Sequence, residues 1–195
     1  MYNLSEIQEV SGNLYISPGV KEVTIESFKA MLNKYDNKVI EVSFRTVDGG
    51  EGLVEQMPAS EVIREGGKKS PLEMTLVKIR HIARAIIGEE GLADLTATSE
   101  EEFIAKLNEH LCNKPYRQKF SGQEVISNGK SWDKAVVPMP SPSNPMAEPI
   151  GTEPTQLRYD KNNAYDYRRK EVAVLPGIGS MVTPGVPVPP HMQGK

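Results

Sequence analysis

The sequence predicts a mainly β fold with a helical insertion: a five-stranded Greek-key barrel, two helices between its third and fourth strands, and an extended C-terminal tail. Three observations carry that expectation. Apolar and polar residues alternate at period two in KVIEVSFRTV, the period changes to 3.6 between Ser70 and Leu111, and most of the 15 prolines fall after Val137. The first pattern marks a half-buried strand, the second an amphipathic helix, and the third a segment poor in regular structure.

The elements follow in order. Pro18-Gly19 punctuates the start of GVKEVTIESFKAM, where Val20, Val23, Ile25 and Phe28 suit a first strand with an irregularity near its beginning. In the second strand Ile40, Val42 and Phe44 alternate with Glu41, Ser43 and Arg45, so Phe44 belongs to the core face. Asp48-Gly49-Gly50 makes a turn into a third short strand, GLVEQMP, which ends at Pro58. Ser70 then caps a helix with Pro71 at its first position, and Leu72, Leu76, Ile79, Ala83 and Ile86 form an apolar stripe that stops at Gly88. Ser99 and Glu102 make a capping box for a second helix that buries Phe103, Leu107 and Leu111. Strands return with PYRQKF and SWDKAVV, joined through Gly122, a candidate bulge, and an Asn128-Gly129 turn.

A helical block between strands three and four is the arrangement of barrels of the oligonucleotide/oligosaccharide-binding type. The second helix departs from it, and an α+β sheet with helices on one side is the alternative. The expected organisation is a binding domain over residues 1–137 and a Pro-rich flexible tail over 138–195.

Net charge is −3, so any nucleic-acid surface must be a local patch rather than bulk positive charge. The start of the chain has neither a basic leader nor an apolar run, and no stretch reaches the roughly 20 apolar residues that span a bilayer. A soluble cytoplasmic protein with no membrane partner is the expectation. Cys112, the single cysteine, reads as a small packed residue. His81, His110 and His191 lie far apart with no ligand-spaced Cys or carboxylate, so neither a metal nor another cofactor is expected. REGGKKS lacks the spacing of a nucleotide-binding phosphate loop. No nucleophile–base pattern stands out, and a non-enzymatic protein is expected.

Barrels of this type bind across strands two and three and against the loops joining strands one to two and four to five. That surface draws here on Lys34, Tyr35 and Lys38 in the first loop, Arg45 on the second strand, and Tyr116, Arg117, Lys119, Lys130, Trp132 and Lys134 in the second hairpin. Planar rings for bases beside cations for phosphates are what single strands require. The competing reading makes Phe120 and Trp132 core residues and the cations an ordinary solvated face. A second basic and aromatic cluster, LRYDKNNAYDYRRK, lies in the tail and reads either as a nucleic-acid or partner motif or as a soluble linker.

Taken together, PGVKEVTIESF, KVIEVSFRTVDGG, EEFIAKLNEHLCNKPYRQKFSGQEV and NGKSWDKAVV resemble bacteriophage single-stranded DNA-binding proteins of the barrel type, from Pro18 to Val137. The resemblance implies a protein that coats exposed single-stranded DNA in viral replication, recombination or repair in the host cytoplasm, with Tyr116, Arg117 and Lys119 on the binding side. It also implies replication or recombination partners reached through the tail, which here ends PPHMQGK instead of in an acidic tip. The reading admits a homo-oligomer. Its rivals are a virion structural or assembly protein that uses the barrel as a packing module, and an accessory subunit that positions a partner enzyme.

Overall fold

The computed structural model describes residues 14–63, 65–128 and 130–169. Within them the chain is mainly β: β1 (Leu14–Tyr15), β2 (Gly19–Leu32), β3 (Lys38–Thr46), β4 (Glu51–Pro58), α1 (Pro71–Ile87), a 3₁₀ helix (Glu90–Leu95), α2 (Glu100–Leu111), β5 (Tyr116–Ser127), β6 (Lys130–Val136), β7 (Ala147–Glu148) and β8 (Tyr167–Arg168). The sheet runs β1-β4-β3-β2-β5-β6, with β7 and β8 attached to β5.

β2 organises the sheet because it changes partners along its length. Gly19 to Val23 pair with Phe120 to Tyr116 of β5, while Val23 to Leu32 pair with Thr46 to Lys38 of β3. A bulge between Ile25 and Ser27 bends the strand, further along than the sequence pattern suggested. Once β5 has left, the vacated backbone edge of β2 is taken by the end of α2. Asn113 N–H donates to Ile25 O at 2.9 Å. The Asn108 side chain accepts from Phe28 N–H at 2.9 Å and donates to Phe28 O at 3.0 Å. One amide side chain thus does the work of a neighbouring strand, and no buried backbone group at Phe28 goes unpaired.

The core lies between the sheet and the helices. Val23, Ile25 and Phe28 of β2, Ile40, Val42 and Phe44 of β3, Met57 of β4 and Phe120 of β5 meet Ile79, Ile82 and Ala83 of α1 and Leu107 and Leu111 of α2. Phe44 and Phe120 pack edge to face at 5.6 Å. Both helices start at the expected N-caps, but the capping box expected at Ser99 and Glu102 is only half formed. Ser70 and Glu73 complete a reciprocal capping box, whereas at α2 Ser99 accepts from Glu102 N–H but the Glu102 carboxylate turns to Thr98. The apolar stripe of α1 is rotated: Thr75, Ile79, Ile82, Ala83 and Ala85 are buried, and Leu76 is exposed. Thr75 occupies an inward position because its hydroxyl donates to Pro58 O at 2.6 Å.

Three expectations are corrected. The sheet is not a closed five-stranded barrel: among the described residues no ladder joins β4 to β6, and β1, β7 and β8 add short strands. Gly122 is not a bulge. β5 and β6 stay in register from Ser127↔Lys130 to Ser121↔Val136, and Gly122 instead leaves room for Tyr167, whose Cδ2 would lie 2.3 Å from a Cβ placed there. Residues 138–169, expected as a flexible tail, form a folded strap along β5. β7 pairs antiparallel with Arg117 and Gln118, β8 pairs parallel with Gly122 and Gln123, and Met146, Leu157 and Tyr167 are buried. A Pro-rich segment packs here because β5 offers it an unpaired edge, as in Lys119 N–H to Met146 O (2.8 Å) and Gly122 N–H to Asp166 O (2.7 Å). The remainder of the expected tail, 170–195, lies outside the described residues.

Candidate nucleic-acid interface

The strap removes the central part of the expected surface. Tyr116 is fully buried in the core, its hydroxyl has no hydrogen-bond partner among the described residues, and burial pushes the phenol well above its ordinary pKa. Lys119 is 1% exposed; its ammonium donates to Asp166 Oδ1 at 2.7 Å, Arg158 O at 2.9 Å and Asn144 Oδ1. Arg117 keeps a 19% exposed side chain but is saturated by acids, with Glu22 at 3.2 Å, Glu148 at 3.4 Å and Glu153 at 3.5 Å, and by Thr152 O at 3.1 Å. These three residues therefore do not form a strand-binding face. Alternation along PYRQKF could not reveal this, since both faces of β5 are covered, one by the core and the other by the strap.

The first loop stays outside. Lys34, Tyr35 and Lys38 are all exposed, with the Lys34 ammonium 4.9 Å from the centre of the Tyr35 ring. Asn33 shapes the loop by accepting from Tyr35 and Asn37 N–H, and Asp36 adopts φ 59°. Lys38 and Arg45 stand at opposite ends of β3, roughly 23 Å apart at about 3.3 Å per residue. The loop is thus separate from the hairpin's cations.

What the fold does bring together lies in the open seam. A groove of about 790 Å³ lies between β6 and the end of β4 that β1 borders, lined by Tyr15, Glu26, Arg45, Val54, Trp132 and Lys134 among others. Three expected residues, Arg45, Trp132 and Lys134, meet there; Lys130 is exposed at the hairpin tip. Trp132 is 48% and Tyr15 83% exposed. Sequence reasoning missed Tyr15, because a single aromatic before Pro18-Gly19 carries no strand pattern. It is held by pairing with Gly52 in β1–β4 and by Ile16 N–H to Gly52 O at 3.1 Å.

The electrostatics of the groove are balanced. Glu26 binds the Arg45 guanidinium and raises its pKa. Asp133 is held below the usual carboxylate range by the Lys161 ammonium at 2.7 Å and by the Tyr167 hydroxyl. In a separate hollow against α1, burial raises the Glu55 carboxyl and lowers the Lys78 ammonium, which donates to Val137 O at 2.7 Å. An aromatic-walled channel with a modest cation supply suits stacking more than charge neutralisation. Among the described residues no helix is long and apolar enough to cross a membrane. Comparison with known families finds no matching family model, and comparison with curated proteins finds no match.

Proposed function

We propose that this chain is a sequence-tolerant single-stranded DNA-binding protein, without enzymatic activity of its own, that serves DNA replication, recombination or repair in the cytoplasm. The fold reading beneath it is an oligonucleotide-binding type of barrel left partly open, with β2 joined to both β3 and β5 and the unclosed seam acting as the channel. One observation carries the proposal: Tyr15 and Trp132 present exposed rings in a single groove that also holds Arg45 and Lys134. Bases stack on the rings, and Lys134 and Arg45 take phosphates. The Glu26 partner of Arg45 must yield for that second contact to form.

Trp132 is the only tryptophan, so the site reports on itself. Titration of the full chain with oligothymidine should quench its fluorescence, with affinity falling as salt rises. Because the groove supplies two cations, Arg45 and Lys134, the slope of log K against log salt for a strand short enough to occupy the groove alone should be shallow, about −1.4 for two phosphates at roughly −0.7 each. Unchanged fluorescence and no binding at low salt would remove the proposal and favour the assembly protein, for which the free edges of β4 and β6 would be packing surfaces.

A further inference from the structure

The tail motif that the groove does not use is part of the folded strap. Lys161, Asn162, Ala164, Tyr167, Arg168 and Arg169 line a hollow of about 670 Å³. Tyr165, beside it in sequence, is 80% exposed. Arg168 and Arg169 are exposed and also border an adjoining hollow with Gln123, Glu124 and Val125; among the described residues neither arginine has an ion-pair partner. The nearby acids are engaged: Asp166 holds Lys119, Asp133 holds Lys161 and Tyr167, and Glu124 accepts from Ser131. No acid is among the residues that line the hollow, so its lining is positive in a protein whose net charge is negative.

Its position is also informative. Asp133 of β6 lines the groove, and the same carboxylate is bound by Lys161 and Tyr167 of the hollow. The Tyr167 ring is seated on Gly122, so strap and hairpin share one register. Groove and hollow are thus neighbours, linked through Asp133.

We propose that Arg168, Arg169 and Lys161, with Tyr165 beside them, form a second phosphodiester-binding surface that receives a single strand after it leaves the groove. The assignment rests on the single-strand reading of the groove. Two guanidiniums lining one hollow, Arg168 at the end of β8 and Arg169 just past it, suit neighbouring phosphates, and an exposed tyrosine offers the next base a stacking face. The surface extends the contact from one groove to a longer path, so it acts only on strands long enough to reach it.

The test uses the full chain and oligothymidines of about 6 and about 20 nucleotides, within and beyond the roughly 4–16 nucleotides of a single barrel site. Both should quench Trp132, the longer one binding more tightly. Arg168→Ala/Arg169→Ala should leave the short oligonucleotide unaffected, weaken the long one at least tenfold and reduce its salt slope by about 1.4; Arg168→Lys/Arg169→Lys should restore most of both. Wild-type affinity and slope of the alanine variant for the long strand would overturn the second surface while leaving the groove intact. Loss of long-strand binding in the variant without any quenching by the short strand would sustain the surface and refute the groove. If the wild type binds neither length, both fall. Equal binding of polyglutamate, lost in the same variant, would make the hollow a dock for acidic protein and overturn the phosphodiester assignment.

Discussion

Trp132 and Lys119 sit in the same hairpin region and have opposite fates. Trp132 projects from a strand whose outer edge is unpaired, and half of it remains in water. Lys119 is enclosed, and an ammonium so enclosed is tolerated only because Asp166, Asn144 and the Arg158 carbonyl satisfy all three of its donors. Trp132→Ala should weaken oligothymidine binding by about 1–3 kcal/mol, the value of one stacked base, while the melting temperature stays within a degree or two. Equilibrium titration beside a thermal melt checks both. Glu102 gives a pH-dependent counterpart. Thr98 N–H, then Lys106 and the Thr98 hydroxyl, push its carboxyl down to about 2 from an ordinary 4.5. A depressed folded pKa stabilises above the ordinary value, and that contribution is lost as pH falls from about 4.5 through about 2. Glu102→Gln should therefore flatten the fall in melting temperature over this range and leave little difference from wild type at its acid end. A variant as acid-sensitive as the parent would refute it.

Among the elements, α2 and β5 show how neighbours overrule local pattern. The predicted helix from Ser99 forms, with Leu107 and Leu111 inward, yet periodicity does not show that Asn108 on the same helix serves the β2 backbone. Asn108→Ala strands both backbone groups of Phe28 and should cost about 1–3 kcal/mol in denaturant unfolding. Asn108→Asp keeps the acceptor for Phe28 N–H but sets a carboxylate oxygen against the Phe28 and Ile104 carbonyls, so at neutral pH it should cost at least as much. Gly122 is legible as a special position, since glycine inside a strand signals a bulge or a close approach, but the choice between the two depends on Tyr167, 45 residues away in the chain. Gly122→Ala forces the Tyr167 ring off β5. Limited proteolysis should then cut within 138–169 faster than in the wild type, with cleavage before Pro138 unchanged. The α1 stripe was likewise half legible: Ile79 and Ala83 face inward as expected, but Thr75 displaces the leucine row because Pro58 O needs a donor.

At the scale of the whole molecule, the strap completes the fold instead of trailing from it. Met146 belongs to the main core, and Arg117 and Lys119 find their acids in Glu148, Glu153 and Asp166. Truncation after Val137 exposes the edge of β5, takes Asp166 away from Lys119 and leaves Arg117 with Glu22 as its acidic partner. The truncated chain should melt well below the full chain or aggregate, because the buried side chains of Met146, Leu157 and Tyr167 and the strap's pairing with β5 are lost together. A fragment of 1–137 that melts with the full chain would show that the strap is dispensable.

Composition and periodicity by themselves determined the mainly β character, the order of strands and helices, the helix caps and the inward row from Ile40 to Phe44, because those properties depend on neighbours within a few residues. Tertiary structure alone decided which side of β5 meets water, where the sheet stays open and which charges remain available. Each of those outcomes is set by a partner distant in sequence: Asp166 for Lys119, Tyr167 for Gly122, and the edge of β4 for the groove beside Trp132. A side chain's alternation states which way it points, but only the chain folded over it determines whether solvent is there.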